Sequence, residues 1–561
     1  MVGAPYQEIP FLKGFLGWVE RRKYLLGVIL LAILLRLFVV PQVIFGDEFG
    51  FLENVRLMGP YGLNPITVSS LLVPWVHWVE AKLFGLNPIT LRFGSLFFSL
   101  LTLLLIYDLS RRMRGRKAAL ASAFLYATSA YAIFNSMLVD SEGAHITFFI
   151  TLSVYLFYRF VHEGKSRWLI LCALAVGLSV LVKQTGFIVL PIFFLYEWHL
   201  KKDFIKAAKH AAIIGIVGAL FFSGYFLLSI MAHEPAFQLG AHHTFMRLTQ
   251  PLINLKLSII QHFLAFIWLG PLFLALIFIA FRDWKKHALP SIWAALVFFV
   301  FTFVYLDATK PIDRYFGLLM PPLCMIGGSW IARQKLLKRA LVLSFAISAV
   351  VFLAANNLPG DYLPFYPKEA YVDKVLGLDF SFMLPIAGGS GPIGFYLNAA
   401  FVVVGFALAG LLFVISQIRR QNKKLIMAFL GCAFAFNIVL MSEHLWSVSN
   451  PDLDAINKEA ISFARQNELR QPLFVFRNPS YRYYLEDAYG GRYRNITILD
   501  YYVFERINIA ETIQKQQPTV IVIDFPRINR ESDFWKAVAD CRPLRSFDDK
   551  GQTAGYVFDC K

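Results

Sequence analysis

Charged residues are scarce in this chain, and the scarcity is the first guide to its class. Asp, Glu, Lys and Arg together make up 16% of its 561 residues, whereas soluble domains average about a quarter. Hydrophobic residues make up 57%, phenylalanine alone fills 55 positions, and the mean hydropathy is +0.56. The composition therefore excludes an ordinary soluble domain and indicates a membrane protein.

Two signals that would point to other classes are also missing. The first apolar stretch, at about 24–45, is too long for the hydrophobic part of a cleavable signal peptide, so we expect it to remain as a membrane anchor. The glycine-rich run at 388–392 lacks the flanking strand and helix of a phosphate-binding loop. The sequence therefore gives no reason to expect a bound nucleotide.

The net charge of +17 at pH 7 does not indicate nucleic-acid binding. The basic residues form short clusters between apolar runs, which is the positive-inside pattern of membrane proteins rather than a continuous binding stripe. All of these clusters fall on one side if the candidate spans alternate, so we predict a cytosolic N-terminus and an outer C-terminus. The thirteen candidates begin near residues 24, 92, 118, 143, 168, 186, 211, 262, 289, 316, 340, 396 and 425.

The chain is predicted to have two domains. Residues 1–441 would form the all-α membrane domain, in which the joint at 183–186 fits either one broken helix or two short ones. Residues 442–561 are more polar and predict a small soluble α/β domain on the outer face. The patterns place an interfacial amphipathic helix at 70–84, a helix at 454–466 and strands at 472–476, 520–525 and 556–559.

The five cysteines divide between these two domains. Three lie in predicted spans, where we expect them to be packing residues. Cys541 and Cys560 lie in the outer domain, where an oxidising compartment would permit a disulfide. Two free thiols would also fit the sequence.

Carboxylates at the outer ends of predicted spans are candidates for chemistry. Asp47 and Glu48 follow the first span directly, and either a solvated loop or a general base facing a cavity would account for them. Asp140 and Glu142 lie in a short turn on the same face. They would position an acceptor or bind a metal ion, unless the turn is simply solvated.

Cations at the same membrane depth are the second set of candidates. Lys183 interrupts an apolar stretch, which costs about 2.5–3.5 kcal/mol near the centre of a span, so we expect a partner or a polar cavity unless its side chain reaches the interface. Arg314, assisted by Lys310 and Tyr315, would stabilise a departing phosphate. The alternative for Arg314 is an ion pair with the neighbouring Asp313.

The order of these features resembles a known superfamily over about residues 20–335. The chain is similar to the membrane glycosyltransferases of GT-C fold that use polyprenyl-phosphate sugars, which include protein O-mannosyltransferases and lipid A aminoarabinose transferases. The matching features are Gly-Asp-Glu-Phe at 46–49, a helix start at 91–97, a basic loop at 107–117, an alanine-rich helix and Asp-containing turn at 118–140, a break at 182–186 and Arg-Tyr at 314–315 before the prolines at 321–322.

The resemblance implies a specific reaction at the outer face of a bacterial inner membrane. A polyprenyl-phosphate-linked sugar would be the donor, and a glycolipid, a glycan or a protein hydroxyl would be the acceptor, with inversion at the anomeric carbon. A divalent metal ion stays open as a cofactor. The implied roles are catalysis for Asp47 and Glu48, phosphate binding for Lys183, Arg314, Tyr315 and Lys310, and acceptor or metal positioning for Asp140 and Glu142.

Two other classes of function remain as alternatives. A lipid or solute transporter, such as a flippase, would also have many spans and intramembrane charges, but the sequence has no repeated halves and its acidic residues lie on one face rather than at the midplane. An inactive relative could serve as a scaffold. Release of polyprenyl phosphate from a sugar donor separates an enzyme from both.

Overall fold

The computed structural model describes most of the chain, and at Asp47, among other positions, only the backbone. The described residues are 10–58, 70, 72–231, 255–304, 313–334, 337–364, 369–386, 394–419, 422–467, 469, 473–475, 483–484, 497–499 and 509–560. Lys310 and the glycine-rich run at 388–392 lie outside them, so the predictions for those positions are not tested.

Helices form most of the described chain. In order they are α1 (Pro10–Leu37), α2 (Asp47–Leu57), α3 (Leu72–Phe84), α4 (Pro88–Arg114), α5 (Arg116–Thr128), α6 (Ala130–Ser136), α7 (Ala144–Glu163), α8 (Ser166–Val182), α9 (Val189–Lys201), α10 (Phe204–Met231), α11 (Leu255–Arg282), α12 (Ala288–Phe299), α13 (Met320–Arg333), α14 (Lys338–Asn356), α15 (Glu369–Leu376), α16 (Ala399–Ile418), α17 (Lys423–Trp446), α18 (Leu453–Gln466), α19 (Ile509–Gln516) and α20 (Asp533–Val538).

The helices confirm the membrane architecture but leave the number of spans open. Within the described ranges, nine helical segments are long and apolar enough to cross a membrane, and the bent pair α5–α6 would make a tenth. These ten correspond to ten of the thirteen predicted spans. The other three fall on α1, α8 and α9, so the count of thirteen stays a prediction. Large apolar side chains such as Ile216 and Val350 are exposed on these helices, as a lipid environment requires.

The open joint at 183–186 is two short helices. Helix α8 ends at Val182, a 3-10 turn covers Gln184–Ile188, and α9 follows. Lys183 lies between them in extended backbone, with φ −162° and ψ 142°. Lys183 therefore lies at the break between two helices, and not near the centre of one continuous span.

A second break separates α5 from α6, which meet at an angle of 66°. Backbone groups freed inside a membrane domain need internal partners, because no water is available in the bilayer core. Asn437 of α17 supplies them: its side chain donates to the Thr128 carbonyl (2.8 Å) and accepts from the Ala130 N–H (3.0 Å). The break directs α6 toward the turn that carries Asp140.

The described chain also contains two small sheets. The first, β1 (Asp361–Tyr362), β2 (Phe382–Ile386) and β3 (Phe395–Asn398), was not predicted. The second has the order β5-β4-β6-β8-β7 and combines parallel and antiparallel pairs. Its strands are β4 (Leu473–Val475), β5 (Thr497–Leu499), β6 (Thr519–Ile523), β7 (Arg542–Asp549) and β8 (Gln552–Asp559).

The second sheet confirms the predicted α/β character of the C-terminal residues. The predicted helix corresponds to α18, and the three predicted strands correspond to β4, β6 and β8. β5 and β7 were missed. β7 is mostly exposed, and its few apolar residues are interrupted by charged and polar ones, so it carries no apolar run that would indicate a strand.

Small residues allow α5 and α13 to pack closely in the bundle. A Cβ atom added at Gly328 would lie 2.1 Å from Ser122 Oγ and 2.6 Å from the Ala118 carbonyl oxygen. Close approach of backbones through small residues is a common way for helices to associate in membranes. The contact matters for the site because α5 leads, through α6, into the buried turn.

Gly328→Val should therefore destabilise the fold. The added side chain meets α5 backbone, and overpacking of this kind costs about 1–3 kcal/mol. Thermal unfolding in detergent would measure the loss. Gly410→Val in α16 is the matched control, because nothing lies within 4 Å of a Cβ atom there. Equal melting temperatures for the two variants would contradict the packing argument.

Candidate active site

The turn between α6 and α7 lies inside the protein. Every residue from 129 to 147 is buried, including Asp140 and Glu142. Asp140 Oδ1 accepts from the Glu142 N–H and from the Ser141 hydroxyl, both at 3.2 Å. The alternative of a solvated turn is therefore wrong, because two carboxylates are held here away from solvent.

Two cations from distant parts of the chain pair with these carboxylates. Arg314 Nη1 lies 3.1 Å from Asp140 Oδ2, and Arg314 Nε lies against Glu142 Oε2. Lys183 Nζ contacts Glu142 Oε1. Buried charges are stable only when paired, and the opposite formal charges of these four side chains balance. We call Asp140, Glu142, Lys183 and Arg314 the ionic cluster.

Each cation reaches the ionic cluster from an irregular piece of backbone. Lys183 projects from the break after α8, and Arg314 from the 3-10 helix Asp313–Leu319. Lys183 is 6% exposed and paired, so its side chain does not extend to the interface. Arg314 pairs across the bundle; the Asp313 side chain lies outside the described residues, which leaves that alternative untested.

The aromatic ring of Tyr315 lies against the cations of the ionic cluster. Lys183 Nζ lies 4.7 Å from the centre of the Tyr315 ring, a favourable cation–π distance. The ring also stacks on Phe301, with centroids 5.4 Å apart and an interplanar angle of 7°. The structure thus brings Tyr315 to the cations, while its predicted hydrogen bond to a phosphate stays a prediction.

Glu48 lies next to the ionic cluster but has its own partners. Its Oε1 accepts from the Val139 N–H and its Oε2 from the Phe45 N–H, each at 3.0 Å. Arg92 Nη2 lies 3.0 Å from the same Oε2, with both side chains fully buried. These internal contacts favour a positioning role over the predicted catalytic one. Val139 precedes Asp140, so the contacts hold the start of α2 beside the ionic cluster.

Asp47 is the first residue of α2, and its side chain lies outside the described residues. The backbone alone places it at the end of the segment that Glu48 and Arg92 hold. Its predicted role as the base therefore stays a prediction, now with a known neighbourhood for its main chain.

Arg92 holds the backbone before α2, a contact that was not predicted from the sequence. Beyond Glu48, its guanidinium donates to the carbonyls of Val39 (3.0 Å), Val40 (3.2 Å) and Val43 (3.3 Å) and to that of Gln42. An arginine in the second turn of an apolar span was the available signal, because a charge there requires a partner.

A buried pair of histidines with a glutamate also went unrecognised. His77 and Glu80 are on α3 and His145 is at the start of α7, and the two histidine rings are 5.1 Å apart. His77 Nδ1 lies 2.9 Å from Glu80 Oε2. Burial lowers the pKa of His77 to about 3 and raises the pKa of Glu80 to about 8, so this contact is a neutral hydrogen bond at pH 7.

No metal site is evident in the described residues. Among them, no three His, Cys, Asp or Glu side chains are grouped so that they could hold a metal ion. Asp140 and Glu142 both pair with cations, so a metal role for them has no support from their contacts and stays a prediction.

Cys541 and Cys560 form a disulfide in the structure. The sulfur atoms are 2.11 Å apart and the Cα atoms 4.5 Å apart. The bond joins the start of β7 to the end of β8, far along the chain from the ionic cluster. Cys172, Cys324 and Cys432 are free and buried.

Comparison with known proteins gives partial sequence matches. Residues 68–226 match the family described as dolichyl-phosphate-mannose-protein mannosyltransferase. An uncharacterised protein of Aquifex aeolicus is 26% identical over 325 residues, 53% of this chain and 63% of that protein. The undecaprenyl phosphate-alpha-4-amino-4-deoxy-L-arabinose arabinosyl transferase of Edwardsiella ictaluri is 25% identical over 168 residues, 29% of this chain and 30% of that enzyme. The chain thus spans less than two thirds of either relative.

Comparison of structures extends over nearly the whole chain. The crystal structure of ArnT from Cupriavidus metallidurans bound to undecaprenyl phosphate covers 96% of this chain and 98% of its own, with a TM-score of 0.55 and 16% identity. The apo form of the same protein matches equally well, at 0.55 and 15% identity. The predicted GT-C fold and the resemblance to this superfamily are confirmed.

Stability near the site should depend on pH through Glu80. Burial raises the pKa of the Glu80 carboxyl to about 8. The protonated carboxyl therefore contributes its full stabilisation below the ordinary pKa of about 4.3, and this stabilisation is lost as the pH rises through about 8. Glu80→Gln keeps a hydrogen-bond donor for His77 but does not ionise. We expect the variant to match the wild type closely at pH 4, below the ordinary pKa, and to melt at a higher temperature at pH 8.

Thermal unfolding of both proteins in detergent at pH 4 and pH 8 measures this difference. The exposed Glu531, changed to Gln, is the control and should leave the wild-type profile unchanged. A gap between Glu80→Gln and wild type that is the same at both pH values would show that Glu80 does not titrate as described.

Proposed function

We propose that this chain, a multi-pass membrane protein with the GT-C fold of polyprenyl-phosphate-sugar-dependent glycosyltransferases, transfers a sugar from a polyprenyl-phosphate carrier to an acceptor hydroxyl at the outer face. The observation that supports this most is the meeting of Lys183 and Arg314 beside the start of α2. Glu48 makes the link, because its Oε1 accepts from Val139, one residue before Asp140. An acid-bearing segment and two cations are therefore neighbours.

The relatives suggest the donor. ArnT of Cupriavidus metallidurans was crystallised with undecaprenyl phosphate, and the Edwardsiella ictaluri relative is named for a donor that carries aminoarabinose on the same lipid phosphate. We transfer the carrier class to this chain and leave the sugar and the acceptor open, since glycolipid, glycan and protein hydroxyls all fit the same chemistry.

The reaction would be a single displacement. The acceptor oxygen attacks the anomeric carbon while the bond from that carbon to the phosphate oxygen breaks, and the bonding electrons remain on polyprenyl phosphate. The acceptor proton passes to the Asp47 carboxylate. A positioned base contributes about 10²–10⁴-fold to the rate, and configuration at the anomeric carbon inverts.

Lys183 and Arg314 would stabilise the leaving phosphate. Charge grows on that phosphate as the bond breaks, and fixed cations in a water-poor site stabilise it best. Asp140 and Glu142 hold these cations in place before substrate binds, so their role is positioning. Glu48 likewise positions the start of α2, and Lys310 and Tyr315 would assist at the phosphate.

Location and orientation follow from the same proposal. We place the N-terminus in the cytoplasm and residues 442–561 outside, in the periplasm of a bacterium with this protein in its inner membrane. Residues 1–441 would then hold the catalytic machinery. The basic clusters between spans support this orientation.

Asp47→Asn should lower turnover by about 10²–10⁴-fold while the affinity for the carrier is kept, because the cations are untouched. Purified protein is incubated with polyprenyl-phosphate sugars and an acceptor, and released polyprenyl phosphate is measured by mass spectrometry. Asp361→Asn, a largely exposed carboxylate, is the control. Near-normal turnover by Asp47→Asn would remove the base assignment; no release by any variant, wild type included, would favour a flippase or a scaffold.

A charge-balanced double variant tests the cation role separately. Lys183→Met combined with Glu142→Gln removes one charge of each sign, so no buried ion is left unpaired. We expect polyprenyl phosphate to bind at least about tenfold more weakly, the loss of one charge-assisted contact. Glu142→Gln alone keeps both cations but removes the carboxylate that Lys183 contacts, so its stability should fall, while the protein that remains folded should bind polyprenyl phosphate at least as tightly as wild type. Equal carrier affinity of the double variant and wild type would contradict the assignment of Lys183.

A further inference from the structure

The backbone just before α2 is held in an unusual way. Val43, Ile44 and Phe45 are buried and belong to no helix or strand, so each N–H needs a partner. Each of the three donates to a side chain. The Val43 N–H donates to Asp454 Oδ1 (2.7 Å), the Ile44 N–H to the Tyr484 hydroxyl (3.2 Å) and the Phe45 N–H to Glu48 Oε2 (3.0 Å).

Two of these three acceptors come from the C-terminal domain. Asp454 is on α18, and Tyr484 lies between β4 and β5, more than 400 residues along the chain from the segment they bind. The next residue, Tyr483, donates from its hydroxyl to the Leu86 carbonyl (3.2 Å), between α3 and α4. The C-terminal domain is thus hydrogen-bonded to the membrane domain at the entrance to α2.

Packing divides the same segment between the two domains. Val43 and Phe45 belong to the hydrophobic core of the C-terminal domain, with neighbours that include Leu453, Ile521 and Ile523. Ile44 belongs to the core of the membrane bundle.

The other edge of the segment is fixed from inside the bundle. Arg92 donates to the carbonyls at positions 39, 40, 42 and 43 and pairs with Glu48. Two of the three N–H groups are therefore held by the C-terminal domain, whereas the third N–H and the carbonyls are held by the membrane domain. Asp47 follows two residues after this doubly held segment.

We propose that Asp454 and Tyr484 are positioning residues that set the location of Asp47, so that the C-terminal domain is a structural part of the active site. This inference rests on the proposed function, in which Asp47 is the base. It gives the C-terminal domain a role that is independent of which acceptor the enzyme uses.

The proposal predicts a loss of turnover without a loss of carrier binding. Tyr484→Phe removes only the hydroxyl that the Ile44 N–H uses. We expect the turnover number to fall about tenfold while the affinity and stoichiometry of polyprenyl phosphate binding stay at wild-type values, because the ionic cluster is not changed. A merely structural loss would lower the binding stoichiometry together with turnover.

Matched variants separate the loss of the contacts to residues 43 and 44 from general damage to the fold. Tyr371→Phe removes a tyrosine hydroxyl that donates instead to the Leu363 carbonyl (3.0 Å). Asp454→Ala removes the acceptor for Val43, whereas Lys458→Ala removes only the ion pair on the same carboxylate (2.5 Å). Tyr484→Phe and Asp454→Ala should lose turnover, and the two control variants should retain it.

A double-mutant cycle ends the test. If Tyr484 acts through Asp47, then Tyr484→Phe in the Asp47→Asn background should change the residual turnover by less than about twofold. A further tenfold loss there, or full turnover of Tyr484→Phe alone, overturns the proposal. Wild-type turnover by Asp47→Asn itself would instead reject the base of the proposed function, which is a distinguishable result.

Discussion

The pairing of two carboxylates with two cations inside the bundle is the constraint on which the rest of the structure depends. Asp140 and Glu142 lie in a buried turn, and Lys183 and Arg314 reach them from breaks in the helices. A single charge left unpaired in this environment would cost several kcal/mol. Three separate regions of the chain must therefore meet, so that these side chains pair when the protein folds.

In the proposed function, the same arrangement would prepare the molecule for an anionic substrate. The cations are already fixed and largely desolvated, so little reorganisation is needed when a phosphate approaches. Before the substrate binds, the two carboxylates of the ionic cluster would neutralise the two cations. The buried cations therefore cost the fold less stability than they would without these partners. Around it, Arg92 and Glu48 secure the start of α2, and the C-terminal domain adds hydrogen bonds to the segment before it.

The sequence was most informative where a charge interrupts an apolar run. Lys183 could be selected because a cation in a span requires a partner. Arg314 was selected as a cation at the outer start of a span that could stabilise a departing phosphate, and the order of motifs supplied the superfamily. That Glu142 pairs with both cations could not be predicted, because this depends on how the breaks at 137–143 and 183 place the chain.

Asp454 and Tyr484 gave no signal at all, since an acidic residue in a helix and a tyrosine in a loop are ordinary in a soluble domain. β7 was missed for a related reason: an exposed edge strand has no apolar face to reveal it. Tertiary contacts made by polar side chains leave no hydrophobic pattern in the sequence, so they could not be predicted.

An experimental structure of the protein with polyprenyl phosphate would test the central claim most directly. We predict phosphate oxygens within about 3 Å of Lys183 Nζ or Arg314 guanidinium nitrogens, with the Asp47 carboxylate facing the same cavity. A phosphate bound elsewhere while Lys183 and Arg314 remain paired only with Asp140 and Glu142 would contradict the account.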